Sequence, residues 1–298
     1  PAQDAKLADE VRKNWYAQRE ADDGCTAAVG RLVGAQNLTV LDVWQKARLS
    51  MEANRPKAAR DAVQIVAPEA VGLVTELSAS PIKFLTSKHI ALSKTRKEII
   101  TLALVRMAAA GDADGAAIQL EGKWGVQLTA EERNWVWGAI GRQAATRMGT
   151  VSAVDALQHF AKVSKDSDLT DDMLGWKTRA ALRAGAQPAW PQVLSAINAM
   201  SEEARKDATW AYWKARALLA TSPPGPALST AKLMPATDVV MLLASGAAPV
   251  ASSPVAATQP VSLPPQRAEA LTLLQSIASV RGFYEQLALE ELGQREGM

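Results

Sequence analysis

Two histidines, one cysteine and two acidic pairs are the residues whose types could do chemistry in this chain. His89 and His159 are distant in sequence, and neither has a cysteine or carboxylate cluster at metal-ligand spacing. Both read as structural or surface residues, and no metal ligand is expected. Cys25 is the single cysteine, so no internal disulfide can form. A nucleophilic thiol needs an activating neighbour, and none is evident. The expectation is a small buried side chain, since free cysteine usually packs as a hydrophobe. The pairs Glu131–Glu132 and Asp171–Asp172 could supply a general acid and base. Adjacent residues on a helix point in different directions, however, and both pairs fall in predicted first turns, so capping is the expected role. No glycine-rich phosphate loop and no G-x-S-x-G elbow is present. No catalytic residue and no cofactor are therefore expected.

Binding chemistry has two candidates. Lys83, Lys88, Lys94, Arg96 and Lys97 form the most basic stretch, opposed locally only by Glu98, and could attract an anionic polymer. The alternative is a solvated loop and helix start. Nine tryptophans could stack on sugars, but they lead Ala/Leu-rich segments and are expected to fill the space between helices. Arg48, Arg179 and Arg216 recur three or four residues after a tryptophan. Their apolar stems could cover a neighbouring ring while the guanidinium meets a carboxylate on the next helix.

The elements that must position these residues are helical. Ala and Leu carry the aliphatic weight, and the Val/Ile/Thr runs expected of strands are scarce. Thr39 with Asp42 and Thr129 with Glu132 have the spacing of capping boxes. Thr170 and Ser201 each precede two acids, as at a helix start. The patterns predict helices at 4–20, 25–34, 40–53, 55–66, 69–78, 95–110, 113–122, 129–147, 150–161, 170–185, 189–199, 201–220 and 267–292. Between 221 and 266 a Pro/Ala/Ser-rich insertion interrupts them, with room for a short helix near Asp238–Leu243. Trp176 and Trp213, each opening a similar helix, are spaced as in a stacked helix pair, the signature of a solenoid.

Composition excludes some classes. With 48% hydrophobic residues the chain can build a large core. Its 33 basic and 31 acidic residues leave a net charge of +2, which argues against a dedicated nucleic-acid binder. No apolar run is long enough for a transmembrane segment, and the opening Pro1-Ala-Gln-Asp4 has no signal-peptide pattern. A start without methionine suggests a processed or excised chain.

Several stretches in order resemble the soluble lytic murein transglycosylase family. They are Cys25 with Leu38–Trp44, Leu128–Trp137, Trp176–Arg183, Asp207–Leu218 and Gly282–Gly293. The similarity covers roughly 25–220 and 267–293 and points to the superhelical domain that precedes the catalytic module. It implies an all-α fold, a right-handed superhelix or solenoid of antiparallel helix pairs, as one domain over 1–298. The complete enzymes cleave the bond between N-acetylmuramic acid and N-acetylglucosamine in peptidoglycan, closing a 1,6-anhydro ring. Their catalytic glutamate sits in a Glu-Ser motif, and no glutamate here precedes a serine. The resemblance thus implies a chain inactive alone, lacking its lysozyme-like C-terminal module. It further implies a periplasmic location, glycan-strand partners, other cell-wall proteins as further partners, and a lost second cysteine that would pair with Cys25. Phe283 and Tyr284 are the candidate surface for packing against a following module, and the Lys83–Lys97 cations the candidate contacts to stem-peptide carboxylates. The alternative is a stand-alone helical-repeat adaptor in the cell envelope that binds another protein.

Overall fold

The computed structural model describes residues 2–18, 22–147, 149–223 and 264–293. Among these residues there are only helices and turns, as the composition predicts. The chain forms two compact units, 1–206 and 207–298. Most of the predicted insertion, including its short helix near Asp238–Leu243, lies outside the described residues.

The first unit opens with α1 (Ala2–Ala17), α2 (Asp23–Gly34), α3 (Val40–Glu52), α4 (Pro56–Val66), α5 (Val71–Ala79) and α6 (Pro81–Ser87). It continues through α7 (Lys94–Ala109), α8 (Ala113–Gln119), α9 (Ala130–Thr146), α10 (Thr150–Phe160), α11 (Asp171–Arg183), α12 (Trp190–Ala199) and α13 (Glu202–Arg205). Helices α1, α3, α7, α9 and α11 pack in succession as one row. A second row lies against it, with α4 on α3, α8 on α7 and α9, α10 on α9 and α11, and α12 on α11. Within this unit the expected solenoid of helix pairs is present.

Local chemistry explains most helix starts. Thr39 and Thr129 each make a reciprocal capping box, with Asp42 and Glu132 as the returning carboxylates. Thr170 accepts from the Met173 amide, and Ser201 from the Ala204 amide. All four caps match the sequence pattern. Long-range packing then follows from side-chain size. Gly138 and Gly141 on α9 let neighbours approach closely: a Cβ on Gly141 would lie 2.9 Å from the Phe160 ring, and one on Gly138 2.6 Å from Leu169.

The second unit contains α14 (Ala208–Thr221), α15 (Pro265–Ile277) and α16 (Phe283–Glu291), each packed on the other two. Here the structure corrects the predicted helices. The helix expected over 267–292 is two, because the chain turns between Ala278 and Gly282 and Gly282 enters α16 with extended backbone. The helix expected over 201–220 is also two. Asp207 leaves helical geometry and caps α14 by accepting from the Thr209 amide. In both cases an amphipathic pattern runs across the break and hides it.

Three smaller differences share one cause, which is that short turns carry too few residues to show a period. Helix α6 was not expected, although Pro81 sits at its first position, where the missing N–H is harmless. A short 3₁₀ turn, Pro68–Ala70, precedes α5. The end of α8 widens into one π turn, Leu120–Trp124, which carries Trp124 fully into the core. Among the tryptophans, Trp15, Trp44, Trp124, Trp135 and Trp137 are buried, and Trp176, Trp190, Trp210 and Trp213 are half-buried. Packing is thus their main role. Cys25 departs from expectation: in the first turn of α2 it is only half-buried.

Candidate functional site

The most constrained chemistry in the first unit gathers where α3, α7 and α9 meet. Arg48 on α3 is fully buried, and its guanidinium donates to both oxygens of Glu98 on α7, at 2.8 Å to Oε1 and at 2.9 and 3.1 Å to Oε2. It also donates to both oxygens of Glu131 on α9, at 2.5 and 2.9 Å. Its flat face lies 5.0 Å from the centre of the Trp135 ring. One planar fork therefore ties three helices, a geometry suited to arginine and not to lysine. Burial pushes the Glu98 carboxyl up to about 7 against the pull of Arg48. Burial also works against the Arg48 charge, but its bonds to the two carboxylates leave its pKa above the ordinary value.

Next to this junction Glu52, at the end of α3, accepts from the Trp135 indole at 2.9 Å. Burial raises its carboxyl to about 7. A cleft of about 410 Å³ opens beside the junction, lined by Lys94, Lys97, Glu98, Glu131 and Glu132 among others. A second, of about 290 Å³, shares Leu41 and Glu131 with it and is walled by Tyr16, Gln45 and Trp135. The carboxylates here are committed to structural work. Glu98 and Glu131 hold Arg48, and Glu132 accepts from the Thr129 amide at 2.7 Å. Farther along the row, Asp171 accepts from the amide and hydroxyl of Ser201 at 2.8 and 2.6 Å, and Asp172 pairs with Arg142. The acidic pairs thus sit in first turns as expected, but three of their four carboxylates bond to residues on other elements.

A different cavity, of about 370 Å³, has apolar walls from Phe84, Ile90 and Ile99 and a rim bearing Lys88, His89 and Arg96. Lys88 donates to Glu76 at 3.2 Å and lies 4.9 Å from the centre of the Phe84 ring. Lys123 supports the loop beneath by donating to the carbonyls of Leu85 and Lys88. The five cations of the basic stretch are therefore distributed. Lys88 and Arg96 face this cavity, Lys94 and Lys97 face the carboxylate-lined cleft, and exposed Lys83 on α6 lines neither. An amphipathic cavity with two cations can take a small anionic group attached to an apolar one.

In the second unit Phe283 stands 71% exposed at the start of α16, its ring edge-on to Tyr284. Tyr284 is held by Tyr212 and Trp213, whose indole donates to its hydroxyl at 3.4 Å. Arg216 bonds the Tyr212 hydroxyl and pairs with Glu291. The recurrent arginines thus differ: Arg48 meets a tryptophan and carboxylates on other helices, Arg179 covers Trp176 on its own helix, and Arg216 meets a tyrosine on its own helix and the expected carboxylate, Glu291, on another.

The chain is similar in structure to soluble lytic transglycosylases. Against the lytic transglycosylase Slt of Pseudomonas aeruginosa, in an inactive variant, identity is 18% and the TM-score 0.46, over 98% of this chain and 40% of that one. Against the 70-kDa soluble lytic transglycosylase of Escherichia coli identity is 14% and the TM-score 0.46, with the same coverage. A complex of the 70-kDa soluble lytic transglycosylase with bulgecin A gives 14% identity and a TM-score of 0.46 over 95% of this chain and 38% of that one. The chain spans about 40% of the length of these proteins. No family profile matches it, and neither does any curated protein. No described helix is long and apolar enough to cross a membrane.

Sequence reasoning did not anticipate Glu52, Glu98 or Trp135 as one assembly with Arg48. The only local signal was the recurrence of arginine after tryptophan. Partners 50 and 83 residues away leave no mark in a local pattern.

Proposed function

We propose that the chain is a non-catalytic superhelical scaffold that positions peptidoglycan for a lysozyme-like module of a soluble lytic transglycosylase. Such an enzyme breaks the bond between N-acetylmuramic acid and N-acetylglucosamine with 1,6-anhydro ring formation, in the periplasm. In this reading residues 1–298 work as one superhelical domain. Lys88 and Arg96, above the apolar wall of their cavity, receive a stem-peptide carboxylate, while Phe283 offers an apolar contact to the module. The observation that carries the reading is the commitment of the carboxylates beside the clefts. Each of Glu98, Glu131 and Glu132 is held by a structural partner, so these three carboxylates work in the fold and the clefts beside them read as binding surface.

The test is incubation of the purified chain with peptidoglycan sacculi, followed by sedimentation and mass spectrometry of the soluble fraction. The expected result is pelleting with the sacculi and no anhydro-muropeptides, with pelleting weakened by salt and by Lys88→Ala with Arg96→Ala. Anhydro products would overturn the non-catalytic assignment. A chain that stays in the supernatant would favour a protein-binding adaptor. That second reading has its own support in Ile90 and Leu92, which are 56% and 83% exposed near the same cavity.

A further inference from the structure

His159, near the end of α10, is an unusual core residue. It is 9% exposed, and both ring nitrogens are fully buried without a hydrogen-bond partner among the described residues. A buried polar atom left unmatched is costly, on the order of 1–3 kcal/mol, so a pair in one ring calls for a reason. The ring is also fixed in orientation, stacked on Trp137 at 5.8 Å between centres and 15° between planes. Asp155, one turn earlier on α10, places Oδ1 3.5 Å from Nε2 of His159. Asp114, exposed in the first turn of α8, completes a group whose three ligand atoms all lie within 4.8 Å of one another.

We propose that Asp114, Asp155 and His159 form a binding site for a divalent transition-metal ion, with zinc as its natural test ion. Tetrahedral zinc with bonds of roughly 2.0–2.2 Å sets neighbouring donors about 3.4 Å apart, which is close to the observed Asp155–His159 spacing. The Asp114 carboxylate is within 4.8 Å of both, and its exposed side chain can adjust by rotation. One imidazole and two carboxylates are a donor set that zinc accepts, and the fourth position is open to water. Ligation at Nε2 gives one of the two orphan nitrogens a partner. The other charges facing this ring are Glu121 and Lys162. Lys162 pairs with Glu121 and lies 4.3 Å from the centre of the Trp137 ring on which His159 stacks, so its positive charge opposes a cation here and the two carboxylates must outweigh it. An ion here would clip α8 to α10, a structural role in which binding energy becomes stability.

The test is calorimetric titration of zinc chloride into the chelator-stripped chain, with cobalt(II) absorption as a second readout. One equivalent of zinc is expected, with a rise in melting temperature and a visible cobalt band of tetrahedral character. Asp114→Asn, at an exposed position that should leave folding intact, and Asp155→Asn should each weaken binding by about tenfold or more. Losing a direct ligand should cost at least as much as losing an outer-shell partner. Cys25→Ser and His89→Gln should leave the titration unchanged. The proposal is overturned if no saturable binding occurs, if both aspartate variants bind as the parent does, or if Cys25→Ser abolishes binding.

Discussion

Replacing Arg48 with methionine tests the junction that ties α3, α7 and α9. The change keeps most of the apolar stem and removes the guanidinium, leaving Glu98 at 0% exposure with its partner gone. Breaking a buried pair in this way costs about 3–5 kcal/mol, a large share of the roughly 5–15 kcal/mol that holds a domain together. The pH dependence identifies the cause. Glu98 has a folded pKa of about 7, raised from an ordinary value of 4.5. Its contribution is therefore fully present below 4.5 and lost as pH rises through 7. Above that point the parent's Glu98 loses its proton to solvent and stays as a carboxylate held by Arg48, whereas the variant's must keep it. Holding a proton costs about 1.4 kcal/mol per pH unit once the parent's Glu98 is fully ionised, so the penalty should grow by about 1 kcal/mol between pH 7 and pH 8. Below pH 7 it should be nearly flat. Urea unfolding at several pH values, followed by tryptophan fluorescence and far-ultraviolet circular dichroism, measures this if both probes share one midpoint. Combining Arg48→Met with Glu98→Leu removes both charges and should recover most of the loss. A penalty under about 1 kcal/mol at pH 8, or a double variant as unstable as the two singles summed, would refute the argument.

Other perturbations have signs that follow from the same structure. Glu52→Gln keeps an acceptor for the Trp135 indole and removes a carboxyl whose pKa is raised to about 7. That carboxyl's contribution is lost as pH rises from 4.5 through 7, so the variant should exceed the parent in stability above pH 7. Because Glu52 is only half-buried by surface area, screening reduces the gain to about 1–2 kcal/mol, read from melting temperature against pH. Gly141→Ala should destabilise despite a helix-propensity gain of about 1 kcal/mol, since its methyl group meets the rigid, buried Phe160 ring. A net loss of about 1 kcal/mol in urea is expected, and a gain would mean that the ring can shift. Thr129→Ala removes one side of a capping box and should cost about 1 kcal/mol by the same assay.

What the sequence determined by itself was local. The threonine and serine caps, the alanine- and leucine-rich periods and the paired-helix repeat act over a few residues, and they produce helices wherever the chain is placed. That sufficed for the all-helical class, the two-row stacking in the first unit and the burial of Trp44, Trp135 and Trp137. The same locality explains the errors. An apolar period continues across Lys206–Asp207 and across Ala278–Gly282, although the backbone turns at both places. Tertiary structure alone decided which distant groups meet. Stacking of α3, α7 and α9 in one row brings Glu98 and Glu131 onto Arg48, and the path of α6 into α7 sends neighbouring cations to different cavities. It also sets Asp114 beside Asp155 and His159, where the sequence showed only a lone histidine. The physical reason is that charge pairing and ligand geometry depend on distances in space. Those distances are set by how helices pack, after local propensity has done its part.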